Sequence, residues 1–313
     1  MISVLGSGVA GLCAATALAE RGLDVEVIEP QDAPDPVSAL AGGMLAPFCE
    51  GETAPEAVVR MGAGAADWWE SHGAEVHRRG TLVVAPARDA AELDRFARAT
   101  QGHDWVDPGA LEPDLAGRFA RGLFFAGEAH MDPRAALARL RARLVEMGVR
   151  FHSGPARGQI IDCTGWAAAP HLPDLRAVRG EMLLLHAPDV ALSRTVRLLH
   201  PRFPCYVVPR GDGHYMVGAT MVESARPGPV TARAVMELLS TAWTLHPAFA
   251  EAELVETGAG LRPAFPDNIP ALRFGAERIF FNGMYRHGFL AAPALAEKLA
   301  ATLRQETAPC VSS

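Results

Sequence analysis

Gly6-Ser7-Gly8-Val9-Ala10-Gly11 stands directly behind the apolar run Met1-Ile2-Ser3-Val4-Leu5 and directly before Leu12-Cys13-Ala14-Ala15-Thr16-Ala17-Leu18-Ala19. In that setting the glycines serve phosphate chemistry. The first permits a tight turn, the second removes a side chain where backbone must approach a pyrophosphate, and the third lets helix and strand pack closely. The helix that follows presents its positive end to the phosphates. A second apolar run, Leu23-Asp24-Val25-Glu26-Val27-Ile28, ends in Glu29, where an acid accepts hydrogen bonds from a ribose diol. The acid favours an unphosphorylated adenosine ribose, so FAD or NAD over NADP.

The elements that would position such a site follow in an α/β order. A loop rich in Pro, Ala and Gly runs from Pro34 to Pro47 and contains Ala41-Gly42-Gly43-Met44-Leu45-Ala46-Pro47; a loop of this kind beside a dinucleotide fold is usually functional. Helical spacing covers Glu56 to His72, with one of Trp68 and Trp69 packed and the other partly exposed. A strand over 80–85 and a helix over 90–100 come next. Asp132-Pro133 then opens a helix to Met147, with Asp132 as N-cap and Gly148 after its end. A short strand at 159–162 runs into Cys163-Thr164-Gly165, a second glycine turn able to lie against the cofactor. Strands dominate from Glu181 to Thr220 and predict an antiparallel sheet. The strand 278–282 and a helix over 292–305 return to α/β. This order predicts a dinucleotide domain of 1–80, 128–177 and 256–310, interleaved with a substrate domain of 81–127 and 178–255.

With 49 % hydrophobic and 21 % charged residues, the 313-residue chain has the composition of a soluble globular protein. Net charge is -7 and the basic residues are scattered among acids, which argues against a nucleic-acid partner. The first strand begins at Met1 and no apolar run approaches the roughly 18 residues of a bilayer span, so neither targeting peptide nor integral membrane segment is expected. Cytoplasm is the expected compartment. Cys13, Cys49, Cys163, Cys205 and Cys310 are odd in number and lack a CxxC pair, reading as packing residues rather than a zinc site or disulfide framework. Eleven histidines show no metal-ligand spacing, and no metal is expected. Glu52 and Glu56 read as solvated charge.

Six motifs in order resemble a known family: the opening glycine fingerprint, Ala41 to Pro47, Arg179-Gly180-Glu181, Tyr206-Val207-Val208-Pro209-Arg210 with Val217-Gly218-Ala219-Thr220, Gly260-Leu261-Arg262-Pro263 with Pro266-Asp267, and Gly283-Met284-Tyr285-Arg286-His287-Gly288. Together they resemble the D-amino-acid oxidase superfamily, and within it the glycine oxidases of thiamine biosynthesis. The resemblance implies FAD in a Rossmann-like domain and substrate held between flavin and an antiparallel sheet. It implies hydride transfer from the α-carbon to flavin N5, with the flavin as electron sink, so no separate catalytic residue is required.

An amino-acid substrate demands a fixed cation for its carboxylate, and the planar fork of arginine grips both oxygens. Arg262 and Arg286 are the candidates, each in a glycine-flanked turn of an otherwise apolar segment, where an unpaired guanidinium would be expensive to bury. By resemblance Arg262 binds the carboxylate, Arg286 is a second arginine near the substrate, and Tyr206 and Met44 contact it. The cofactor contacts implied are Gly6, Gly8, Val9, Ala10 and Gly11 under the pyrophosphate, Glu29 on the ribose, Ala41, Gly42, Gly43 and Met44 along the flavin edge, Thr164 and Gly165 in the second turn, and Gly283, Met284, Tyr285, Arg286, His287, Gly288, Phe289 and Leu290 near the pyrimidine. His287 stands where relatives carry a small amide. No cysteine occurs in that turn, so FAD is expected to be noncovalent. Where relatives have several strands, Val149 to Gln159 is too short for a full meander, leaving Ala156 as the expected adenine contact. The implied reaction is oxidation of glycine or a similar small amino acid, with O2 as acceptor. Alternatives are a dehydrogenase using another acceptor, or a flavin-binding protein without catalysis. Relatives often form homo-oligomers.

Overall fold

In the computed structural model, which describes residues 1–31, 35–201 and 204–307, the opening strand Ile2–Leu5 pairs in parallel with Val25–Ile28 on one side and Gln159–Asp162 on the other. Arg150–His152 extends this sheet in parallel beyond Val25–Ile28, and Arg278–Asn282 with its hairpin partner Ala271–Phe274 completes six strands at the far side. Both faces of a parallel sheet are covered, which is why its central strands read as nearly unbroken apolar runs. The exceptions are paired: buried Ser3 donates to buried Glu26 at 2.8 Å, and Glu26 meets Arg150 and His152 at 3.1 Å each. The helix Val9–Glu20 is buried from Val9 to Leu18. Its small residues Cys13, Ala14, Ala15 and Ala17 are fully covered and let the last helix, Gly288–Thr307, lie against it.

A second sheet of nine strands is built around Arg176–His186, which pairs with His214–Gly218 and Val222–Glu223 on one edge and with Glu253–Ala264 along the other. Leu183, Leu185, Val196, Val207 and Val217 bury one face of it against the helix Ala232–Leu245. The strands within 181–220 pair antiparallel as expected, and Thr81–Val84 joins them in parallel along Thr195–Leu198. The expected domain boundaries at 177/178 and 255/256 fall inside the paired strands Arg176–His186 and Glu253–Ala264.

Two helices differ from their sequence reading. The stretch Glu56 to His72 is two helices, Glu56–Gly62 and Ala65–Ser71, because Gly62 and Gly64 weaken the helix between them. Gly62 also allows close approach, since a Cβ there would lie 3.1 Å from both Leu290 and Pro47. The last helix begins at Gly288 rather than 292. The helix Pro133–Glu146 forms as expected, with the Asp132 carboxylate accepting from the amides of Arg134 and Ala135 at 2.7 and 3.0 Å. Between Arg150–His152 and Gln159–Asp162 there is no further strand among the described residues. Pro34 and the chain end from 308, with Cys310 and the expected boundary at 310, lie outside the described residues.

Candidate functional site

A cavity of about 1030 Å³ opens between the two sheets, at the upper end of the size of ligand sites. Gly6, Gly8, Val9 and Ala10 line it, at the carboxyl end of the opening strand where open α/β sheets bind ligands. Gly6 takes a φ of +93°, and a Cβ on Gly11 would lie 1.9 Å from the Gly6 carbonyl oxygen, so turn and helix touch. Gly8 is the helix N-cap and has no side chain to cap the first turn, whose Val9 amide donates to Ser38 Oγ at 3.1 Å. The positive end of this helix, on the cavity wall, suits an anion. Glu29 also lines the cavity, and both its oxygens accept from Arg141, at 2.6 and 2.9 Å. That pair holds the carboxyl below its ordinary range. Thr164 and Gly165 form the second turn on the cavity wall, Thr164 donating to Asp162 at 2.7 Å. Ser153, not Ala156, lines the cavity from the shortened segment.

The 41–44 loop is held by its glycines and by Arg210. Ala41, Gly42, Gly43 and Met44 all face the cavity. Gly43 has a φ of +66°, and a Cβ there would lie 2.1 Å from the Met131 carbonyl oxygen. Arg210 donates to the carbonyls of Ala41 and Gly42 at 3.3 and 2.9 Å, and burial pushes its guanidinium down to about 10. Across the cavity Met284, Tyr285, Arg286, Gly288, Phe289 and Leu290 form the opposite wall. Gly11, Gly283 and His287, expected as cofactor contacts, lie behind the wall instead: Gly11 against Gly6, Gly283 under the Phe265 ring, and His287 1 % exposed beside Glu50.

Arg262 is not in a turn but in the strand Glu253–Ala264, opposite Val178. Its guanidinium lies on Gly180, where a Cβ would come 2.2 Å from Cζ, and its Nη1 donates to the Thr220 carbonyl at 3.0 Å. Thr220 is fixed in turn by Glu181, to which it donates at 2.9 Å and from whose amide it accepts at 3.0 Å. Buried Arg179 pairs with the same Glu181 at 3.2 Å. Among the described residues no carboxylate forms an ion pair with Arg262, which faces the cavity; burial holds its guanidinium below the ordinary range, partly offset by Tyr206. The Tyr206 ring packs over Gly42 and Gly218, where added Cβ atoms would lie 2.7 and 3.0 Å away. Burial raises the Tyr206 phenol, opposed by Arg262, so a neutral hydroxyl stands beside a guanidinium that has no carboxylate partner among the described residues.

Glu50 is the site residue that sequence reasoning missed. It closes the short helix Pro47–Glu50, lines the cavity and is 6 % exposed. Its Oε2 is 2.9 Å from Arg286 Nε and 3.4 Å from His287 Nδ1, and its Oε1 is 3.6 Å from Arg197. Burial alone would raise this carboxyl, but Arg286 and then His287 hold it well below the carboxylate range. Arg286 also donates to the Thr53 hydroxyl, so this expected substrate arginine already has a protein partner. Glu52 is not free in solvent either: it pairs with Arg95 at 2.6 Å and its side chain is 13 % exposed. Glu56 is exposed as expected. Cys13, Cys49, Cys163 and Cys205 are buried, and burial raises their thiols.

The family model for "FAD dependent oxidoreductase", DAO, matches residues 1–302. The chain belongs to the DAO family. A DAO relative, the provisionally named thiamine biosynthesis oxidoreductase ThiO of Rhizobium etli, is 53 % identical over 316 residues, covering 97 % of each chain. The glycine oxidase of Pseudomonas aeruginosa is 29 % identical over 346 residues, 96 % of this chain and 93 % of that one. Among solved structures, glycine oxidase from Geobacillus kaustophilus superposes with a TM-score of 0.82 at 23 % identity, covering 99 % of this chain and 96 % of that one. Iminodiacetate oxidase from Chelativorans sp. BNC1 gives 0.83 at 24 % identity with the same coverage. The DAO chain is an FAD-dependent oxidoreductase of α/β fold. The helix start at Gly8, the strand-end glycine turns and the acid at 29 fit that dinucleotide. Among the described residues no helix is long and apolar enough to cross a membrane.

Proposed function

We propose that this DAO chain oxidises the amine of glycine or a similarly small amino acid to the imine in the cytoplasm, with O2 as acceptor and hydrogen peroxide as product. The imine would supply thiazole assembly, in keeping with the name of the Rhizobium etli relative. One observation carries the reading: a guanidinium without a carboxylate partner among the described residues faces the cavity at Arg262, beside the Tyr206 hydroxyl. When bound, noncovalent FAD supplies the hydride acceptor. The protein's part is to bind and orient. Arg262 grips the carboxylate with its planar fork and so sets the α-carbon position, and the Thr220 carbonyl keeps that fork from turning. Tyr206 offers a second, neutral hydrogen bond. Met44, Met284 and Leu290 give that end of the cavity apolar walls, which exclude water from a C–H bond that must break with its electron pair. Glu29, already oriented by Arg141, has lone pairs left for the ribose diol.

Anaerobic mixing of the FAD-loaded protein with glycine, sarcosine or D-alanine should bleach the flavin absorbance, and readmitted air should restore it with one peroxide per turnover. Absence of bleaching with every small amine would sink amine oxidation. Bleaching without peroxide, but with reduction of an added dye, would assign a different acceptor.

A further inference from the structure

The substrate end of the cavity carries more positive charge than one carboxylate requires. Arg197 stands on the strand Thr195–Leu198 directly opposite Tyr206 on the neighbouring strand, so both side chains leave the same face of the sheet, and both line the cavity. The Arg197 side chain is 11 % exposed, its Cζ lies 5.6 Å from the Phe96 ring centroid, and its Nη1 makes no hydrogen bond. Glu50 Oε1 is 3.6 Å away, an ion pair without a hydrogen bond, while Oε2 of the same carboxylate faces Arg286 and His287. Two further acids lie nearby: Glu128 accepts from the Cys49 amide at 2.7 Å and Glu52 pairs with Arg95 at 2.6 Å; burial lowers the Arg197 guanidinium, but Cys49 and the acids Glu50, Glu52 and Glu128 hold it above its ordinary range. By ion pairs Arg197 and Arg286 share the carboxylate of Glu50, and Arg262 has none among the described residues. A guanidinium so far removed from water calls for a hydrogen-bonding anion. The α-carboxylate would satisfy Arg262, which leaves Arg197.

We propose that Arg197 forms a second anion subsite, on the other side of Tyr206 from Arg262, and that the preferred substrates of this chain are small amines carrying a second carboxylate. The proposal rests on the reading of Arg262 as the first carboxylate's anchor. The spacing suits it: Gly180, under the Arg262 guanidinium, and Arg197 are three strands apart across the sheet, roughly 14 Å at the backbone. That span leaves room for a short diacid.

The test is anaerobic flavin reduction in the FAD-loaded protein, comparing D-aspartate with D-alanine. The expected ratio of their apparent second-order rate constants for flavin reduction is about 10 or more in favour of D-aspartate, falling by about 100-fold in Arg197→Met and partly restored in Arg197→Lys. A ratio at or below one in the unaltered protein overturns the proposal, as does an Arg197→Met variant that loads FAD and keeps the ratio. Should that variant fail to fold, titration of the unaltered protein decides: succinate should perturb the flavin spectrum at about one-tenth the concentration of propionate or less, and equal affinities overturn the subsite. If no amine reduces the flavin, the oxidase reading fails, and the succinate titration still judges the subsite on its own.

Discussion

At position 50 a buried carboxylate lies between Arg286 and His287, within 2.9 and 3.4 Å of their nitrogens, and replacing it with an amide would leave the Arg286 guanidinium without its counter-charge. Glu50→Gln should therefore lower stability by about 3–5 kcal/mol at neutral pH, measured by urea unfolding of the FAD-loaded protein. The folded carboxyl titrates below its unfolded value of about 4.3, so its contribution is complete above that pH and is lost as pH falls below it. The difference between Glu50→Gln and the unaltered protein should accordingly narrow on acidification below about pH 4; a gap that stays constant to lower pH would contradict the ion-pair account. Glu50 was not legible in the sequence because its partners, Arg286 and His287, come from the far end of the chain. Arg262 and Tyr206 were legible because each sits inside a motif with its glycine, Gly260 before one and Gly218 facing the other.

The early start of the last helix has a local physical cause. Pro293 lies inside the helix Gly288–Thr307 and has no N–H for the carbonyl of Phe289. The indole N–H of Trp69 donates to that carbonyl instead, at 2.9 Å, and the Trp69 ring is fully buried. A sequence rule that places proline at the first helical turn moves the start toward 292 and overlooks the tryptophan that replaces the missing donor. The helix can then begin at Gly288, and Gly288, Phe289 and Leu290 reach the cavity wall. Trp69→Phe keeps most of the ring but orphans the Phe289 carbonyl, for an expected loss of about 1–3 kcal/mol. Adding Pro293→Ala supplies the missing N–H, so the double variant should recover most of that loss in thermal melts. Strict additivity of the two changes would contradict the compensation.

Across the whole molecule the cavity depends on two sheets meeting, and the two were unequally readable. The opening of the six-stranded sheet was plain because its strand, glycine turn and helix follow one another within the first 28 residues, whereas its outer strands Arg150–His152 and Ala271–Phe274 were not read. The nine-stranded sheet was blurred because its long strand Glu253–Ala264 returns from late in the chain to pair with Arg176–His186, and because the parallel contact of Thr81–Val84 with Thr195–Leu198 joins distant segments. Periodicity reports which face of a strand is apolar, not which strand will lie beside it. The consequence of the meeting is that Arg262, carried by one sheet, faces a dinucleotide cradle built by the other. The most direct measurement is the dissociation constant of propionate, read from the flavin absorbance of the FAD-loaded protein and of FAD-loaded Arg262→Met. A loss of about 30-fold or more, about 2 kcal/mol or more, is predicted; affinities equal within about threefold in a variant that retains its FAD would contradict a carboxylate anchor at Arg262.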